Sequence, residues 1–146
     1  IVVLESNALD PTKLPAGQCV ANSARPRCNV SYDDKGQPIS INNGFFAACV
    51  SASGSRWSNT CTLSPSLLEK TGYDLPDPKF SQPNRIVGGA TGWLTTQAPV
   101  VPGEDVTLRF IIFDEGDYIL DSAVLIDGFQ WEAVPVSAPQ TTPGLN

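Results

Sequence analysis

The chain has 146 residues, 41% of them hydrophobic and only 16% charged, with nine basic and fifteen acidic groups and a formal net charge of -6. It is apolar enough to bury one core, too apolar for a disordered polymer, and too acidic for nucleic acid or an anionic membrane surface to be a natural partner. Twelve glycines and thirteen prolines are spread along it and exclude long helices.

In chain order, the apolar run Ile1 to Leu4 reads as a strand, and residues 6–28, with Pro11, Pro15, Gly17 and Pro26, read as a long irregular loop. Asn29 to Tyr32 and Pro38 to Ile41 are predicted strands around the turn Asp33-Asp34-Lys35-Gly36. Gly44 to Ser51 has strand composition and would carry Cys49 into a core. Ser64 to Gly72 is the one helix candidate, two turns at most, with Ser64 as N-cap, Pro65 at the first helical position and Gly72 as terminator.

Residues 73–89 read as an excursion, and Thr91 to Thr96 as a strand. Pro99 to Glu104 is a turn leading into the best strand of the chain, Asp105 to Phe113. There Val106, Leu108, Phe110 and Ile112 alternate with Thr107, Arg109, Ile111 and Phe113, and the far end, apolar on both faces, is expected to be buried on both. Ser122 to Trp131 is its expected partner strand, with a bulge or tight bend at Asp127-Gly128. The domain is expected to span residues 1–134, with 135–146 as a Pro/Ser/Thr-rich linker. Short strands, frequent turns and almost no helix predict an all-β fold, an antiparallel β-sandwich of jelly-roll kind.

Cys19, Cys28, Cys49 and Cys61 form an even set without a CxxC, and the chain has no histidine, so a zinc site would need all four thiolates. Disulfides are the better reading. Of the three connectivities, the sequence-local one (Cys19 with Cys28, Cys49 with Cys61) is preferred, and it implies an exported, oxidising location. No apolar run is long enough to cross a bilayer.

All nine basic residues lie within residues 1–109 beside nine acids, whereas residues 110–146 hold six acids and no base. Asp114, Glu115, Asp117 and Asp121 crowd one loop, and Asp127 follows. Two readings fit: a calcium site with Asp114, Asp117, Asp121 and Asp127 as oxygen ligands, or a solvated loop of strand-terminating residues. The spacing is not that of an EF-hand. Asp121 and Asp127 adjoin apolar residues, which singles them out as ligands or buried hydrogen-bond acceptors.

Arg85-Ile86-Val87-Gly88-Gly89 copies a trypsin-type activation site, but without histidine a Ser-His-Asp arrangement cannot be built. Catalysis is not expected. Trp93 and Trp131 read as core residues, and Trp57, in a Ser/Gly/Asn-rich loop, as the exposed aromatic most suited to a sugar. Asn29-Val30-Ser31 fits the N-glycosylation sequon, a pattern common by chance.

Two stretches carry a family resemblance: NVSYDDKGQPISINNGFFAAC from Asn29, and GGATGWLTTQAPVVPGEDVTLRFIIFDEGDYILDSAVLIDGFQW from Gly88. Their most specific parts are Asn42-Asn43-Gly44-Phe45-Phe46, Thr91-Gly92-Trp93-Leu94, Pro102-Gly103-Glu104, and Asp114 through Trp131. In these the chain, from about Ile1 to Trp131, resembles the bacterial choice-of-anchor L domain of exported surface proteins. The resemblance implies a cell-surface β-sandwich with no established catalysis and no catalytic residues to carry over. Members have a substantial N-terminal half and an anchor that are absent here, so the chain looks like a piece of a larger precursor, or one whose missing strands come from another chain.

The function expected from all this is a non-enzymatic extracellular structural or adhesive module, calcium-stabilised, that assembles with other protein chains. A carbohydrate-binding module with Trp57 at its sugar site is the alternative, and a carboxylate-based secreted hydrolase a third.

Overall fold

The computed structural model describes residues 1–40, 45, 47–49, 61–73, 88–113 and 122–144. They form seven short strands and two single 3-10 turns. The strands are β1 (Val2–Glu5), β2 (Arg27–Asn29), β3 (Ala48–Cys49), β4 (Gly89–Ala90), β5 (Leu94–Gln97), β6 (Thr107–Phe110) and β7 (Gln140–Pro143). The fold is all-β, with small antiparallel sheets and no α-helix among the described residues. Two compact units divide the chain, one of residues 1–32 and 96–141, the other of residues 33–95 and 142–146. No helix among the described residues is long and apolar enough to cross a membrane.

The first unit is built on a three-stranded sheet in the order β2-β1-β6, so β1 is the middle strand. Leu4 stands opposite Cys28 on one side and Leu108 on the other. Alternation then puts Val2, Leu4, Cys28 and Leu108 on one face. Leu4, Leu9, Leu14, Cys28 and Val30 form the buried core there, with Val2, Val106 and Leu108 packed against it. This is the alternation expected of the strand after Pro99 to Glu104, but its far end departs from expectation. Residues 110–113 are exposed rather than buried on both faces.

β2 begins earlier than predicted, at Arg27, because its outer side is occupied. Asn29 N–H donates to Gln18 O (2.7 Å), Val20 N–H donates to Arg27 O (2.9 Å), and the Cys19–Cys28 disulfide lies between them. Asn29 itself is buried, which settles the sequon in structural terms. Its Nδ2 donates to Gln18 Oε1 (2.8 Å) and Ser31 O (3.0 Å), while Oδ1 accepts from Ser31 N (3.0 Å) and Val2 N (3.3 Å). The amide therefore does backbone-pairing work at the sheet's corner, where a strand ladder gives out. The turn after it forms as read, with Asp33 Oδ1 accepting from Lys35 N (2.9 Å) and Gln37 N (2.8 Å), but the flanking hairpin does not extend into a ladder over Ile39 and Ser40.

In the second unit β3 pairs with β4, and Leu63 N–H donates to Ala47 O (3.1 Å). The helix candidate shrinks to a single 3-10 turn, Pro65–Leu68, with Ser64 as N-cap and Pro65 first, as the sequence predicts. It ends earlier than Gly72, and it buries Leu68. Gly88 must be glycine here, since a Cβ would come within 2.1 Å of the Tyr73 carbonyl oxygen. The protease-like Arg85-to-Gly89 motif thus ends in a residue chosen for close backbone approach and another that starts β4. Residues 73–89 were expected to be a plain excursion, and their end is a strand instead.

β7 lies in the tail expected to be a linker. It pairs with β5, helped by Thr96 and Thr141 hydroxyls 3.0 Å apart and by Gln140 Nε2 donating to Gln97 Oε1 (2.7 Å). Upstream of it, Tyr32 Oη donates to Pro139 O (2.6 Å) and Pro139 is buried. Cys61 is disulfide-bonded as well, and the side chain of Cys49 lies outside the described residues.

Candidate functional site

β6 sits at the edge of its sheet. In the antiparallel ladder with β1, Ile1 and Ile111 exchange both hydrogen bonds (3.0 and 2.9 Å), so the bonded pairs fall on Val3 with Arg109 and Glu5 with Thr107. The N–H and C=O groups of Leu108 and Phe110 therefore point away from β1. Among the described residues nothing pairs with them. The opposite edge, on β2, is the one closed by residues 18–20.

Large apolar side chains are exposed at the end of β6 and again after residue 121. Ile111, Ile112 and Phe113 follow Phe110, and Val124, Leu125, Ile126, Phe129, Trp131 and Val134 come after residue 121. Each of these side chains is between 44% and 80% exposed. The composition of Ser122 to Trp131 predicts a partner strand, and this expectation is corrected: the segment belongs to no strand, and among the described residues its backbone bonds to no other backbone group. Trp93 and Trp131, read as core, are exposed too. Phe129 and Trp131 meet edge to face, 5.3 Å apart at 85°, so they do not present the coplanar platform that a sugar ring would stack on.

The start of β6 is pinned by a carboxylate. Val101-Pro102-Gly103-Glu104 closes a β-turn, Glu104 N–H donating to Val101 O (3.1 Å), with Gly103 at φ +82° in the position that favours glycine. The turn aims the Glu104 side chain back at the core strand's exit. Its Oε1 accepts from the Ser6 hydroxyl and from Val101 N (2.8 Å), and its Oε2 accepts from Asn7 N (3.0 Å) and Arg25 Nη2 (2.8 Å). The Ser6 hydroxyl, then the two backbone N–H groups, and last the Arg25 charge lower its pKa from 4.5 to about 2. One side chain so ties β6 to the loops after β1 and before β2.

No family model, curated protein or solved structure matches the chain. Pro102-Gly103-Glu104, among the motifs singled out in the sequence, has a physical role in this turn.

That role has a sign that can be measured. The unfolded carboxylate takes up its proton near 4.5 and the folded one near 2, so Glu104 contributes stability that is present above pH 4.5 and lost as pH falls towards 2. Glu104→Gln is expected to melt below the parent chain at neutral pH and to approach it as pH falls through that window. A gap between the two melting curves that stays constant from pH 6 to 2 would contradict this.

The sites expected from sequence fare unevenly. Asp114, Asp117, Asp121 and Trp57 lie outside the described residues. Asp127 is exposed rather than a buried acceptor, and its Oδ1 accepts from Gly128 N (2.7 Å) at a tight bend where Gly128 has φ +68°. Among the described residues no group of three or more Cys, Asp or Glu is placed to hold a metal ion. Glu104 and Asn29 went unrecognised as structural hubs. The turn around Glu104 was readable, but its partners Ser6, Asn7 and Arg25 are too remote in sequence to be foreseen.

Proposed function

We propose that this chain is a non-enzymatic extracellular structural or adhesive module of choice-of-anchor L type, a β-sandwich completed by assembly with another polypeptide. The observation that carries the reading is the set of large apolar side chains within residues 110–113 and 122–134 that stand exposed among the described residues. Soluble monomers seldom leave so many large apolar side chains in water, and such surfaces mark interaction sites. The Cys19–Cys28 disulfide supports an oxidising compartment. Calcium forms no part of this proposal, since three of its four expected ligands lie outside the described residues.

The triple substitution Leu125→Ser, Phe129→Ser and Trp131→Ser tests the reading. Side chains that await a partner contribute little to their own chain, so each change should shift unfolding free energy by no more than about 0.5 kcal/mol. Binding of a hydrophobic fluorescent dye should fall. A loss of several kcal/mol would show that the segment packs inside its own fold, and the proposal would fail.

A further inference from the structure

We propose that the Cys19–Cys28 disulfide is a thiol-exchange site, at which a small-molecule thiol bonds to Cys19 from the solvent side and thereby lifts residues 18–20 off β2. This site lies on the opposite edge of the sheet from β6 and does not depend on the interaction reading above.

Cys19 and Cys28 face each other across an antiparallel bridge, and the hydrogen bonds on either side of them run from Asn29 N–H to Gln18 O and from Val20 N–H to Arg27 O. The two cysteines are therefore a pair without backbone bonds to each other, joined at that point through sulfur. Their surroundings are unlike. Cys28 is fully buried in the core cluster with Leu4, whereas Cys19 is half-buried and lines an open groove of about 460 Å³ with Pro11, Pro15, Gly17, Val20 and Pro26. The two segments also differ in how firmly they are held. β2 is fixed by three register pairs with β1, while the covering segment runs between two exposed turn residues of positive φ, Gly17 at +83° and Asn22 at +58°, and its Val20 is 49% exposed.

A thiolate displaces one sulfur of a disulfide from the other by attack in line with the S–S bond. At Cys28 that approach would start from inside the core, on the side of Leu4, whereas at Cys19 the groove gives access from water. The incoming sulfur bonds to Cys19, the Cys19–Cys28 bond breaks, and its electron pair leaves on Cys28, which takes up a proton from water. A second thiol molecule then releases Cys19, so that two thiols are oxidised to one disulfide for each Cys19–Cys28 bond reduced. An adduct on Cys19 has no room between β2 and its cover, where Cys28 is already enclosed, so the covering segment gives way and the Asn29 and Val20 hydrogen bonds are lost. A thiolate left in the core is costly, and the same movement lets water reach Cys28.

The test incubates the whole oxidised chain with reduced glutathione, quenches with acid at intervals, blocks free thiols with N-ethylmaleimide and cleaves with trypsin, which cuts after Arg27 and so separates the two cysteines. Glutathione should be found on Cys19 at least about tenfold more often than on Cys28. In about 1 M urea, which raises the unfolded fraction at least about fivefold, the rate should change by less than about twofold. Glutathione is then loaded onto Cys28→Ala from its oxidised form, and amide exchange is followed. Val20 and Asn29 should exchange at least about tenfold faster than in the parent chain, with Arg109 and Ile111 within about twofold of it.

Equal labelling of Cys19 and Cys28, or a rate that rises with urea as the unfolded fraction does, places the reaction in the unfolded chain and overturns the proposal. So does the absence of any adduct over a period in which the urea-unfolded chain reacts to completion. Retained protection at Val20 and Asn29 in the loaded variant overturns the release of residues 18–20. Should Cys28→Ala unfold, the labelling ratio in the parent chain and its urea dependence still decide.

Discussion

Leu4→Ala is expected to lower the unfolding free energy by about 2–5 kcal/mol, the range for removing a buried leucine whose surroundings cannot collapse onto the gap. The site is of that kind. Leu4 is 4% exposed in the middle strand, with Cys28 and Leu108 on either side and Leu9, Leu14 and Val30 in the same cluster. Strands anchored on both sides by ladders have little freedom to close a cavity. Val3→Ala, on the opposite and less buried face, is the control and should cost clearly less. Urea titrations of the two variants check the order, and a Leu4→Ala loss below about 1 kcal/mol would place the core elsewhere.

Removing the Cys19–Cys28 link comes next in size. The two cysteines are nine residues apart, and freeing a loop of that length costs roughly 3 kcal/mol in the chain-entropy account. Cys28 is fully buried, so the double substitution to alanine is preferable to serine, which would bring hydroxyls into an apolar core. The loss should also be local. Amide exchange at Val20 and Asn29, whose N–H groups bridge β2 and its covering segment, should accelerate more than exchange at Arg109 and Ile111 in the β1–β6 ladder. Uniform acceleration across both would mean that the disulfide stabilises the unit as a whole rather than the covered edge.

Much of the secondary structure could be read along the chain, and the failures share a cause. The alternation from Val106 onward predicts the strand and the face on which Val106 and Leu108 pack against the core, though Phe110 on the same face is exposed, and Ser64-Pro65 marks the start of a turn that forms there. Ile1 to Leu4 was legible as a strand, though not as the central one. Ser122 to Trp131 has the composition of a strand and makes none among its own described neighbours. Side-chain pattern reports what a segment could bury, and the partner that would bury it is a separate matter. Gln140 to Pro143 shows the converse, for polar residues with no apolar pattern form β7 once β5 supplies the other half of the ladder. The same limit applies to the hubs. Asn29 looked like a glycosylation signal and Glu104 like the end of a turn, because their partners at Gln18, Ser6 and Arg25 are brought near only by the folded sheet.

The β2-β1-β6 order also governs when this protein can fold. Leu4 reaches its partner Leu108 across about a hundred intervening residues, a closure whose entropic cost must be met before any of the ladder's reward arrives. During synthesis β1 waits for β6 to leave the ribosome, and over that interval its apolar side chains have only the local β2 strand for shelter. A chain with this wiring can join Cys19 to Cys28 early, since both lie near its start, but it cannot complete its sheet until nearly all of it has been made.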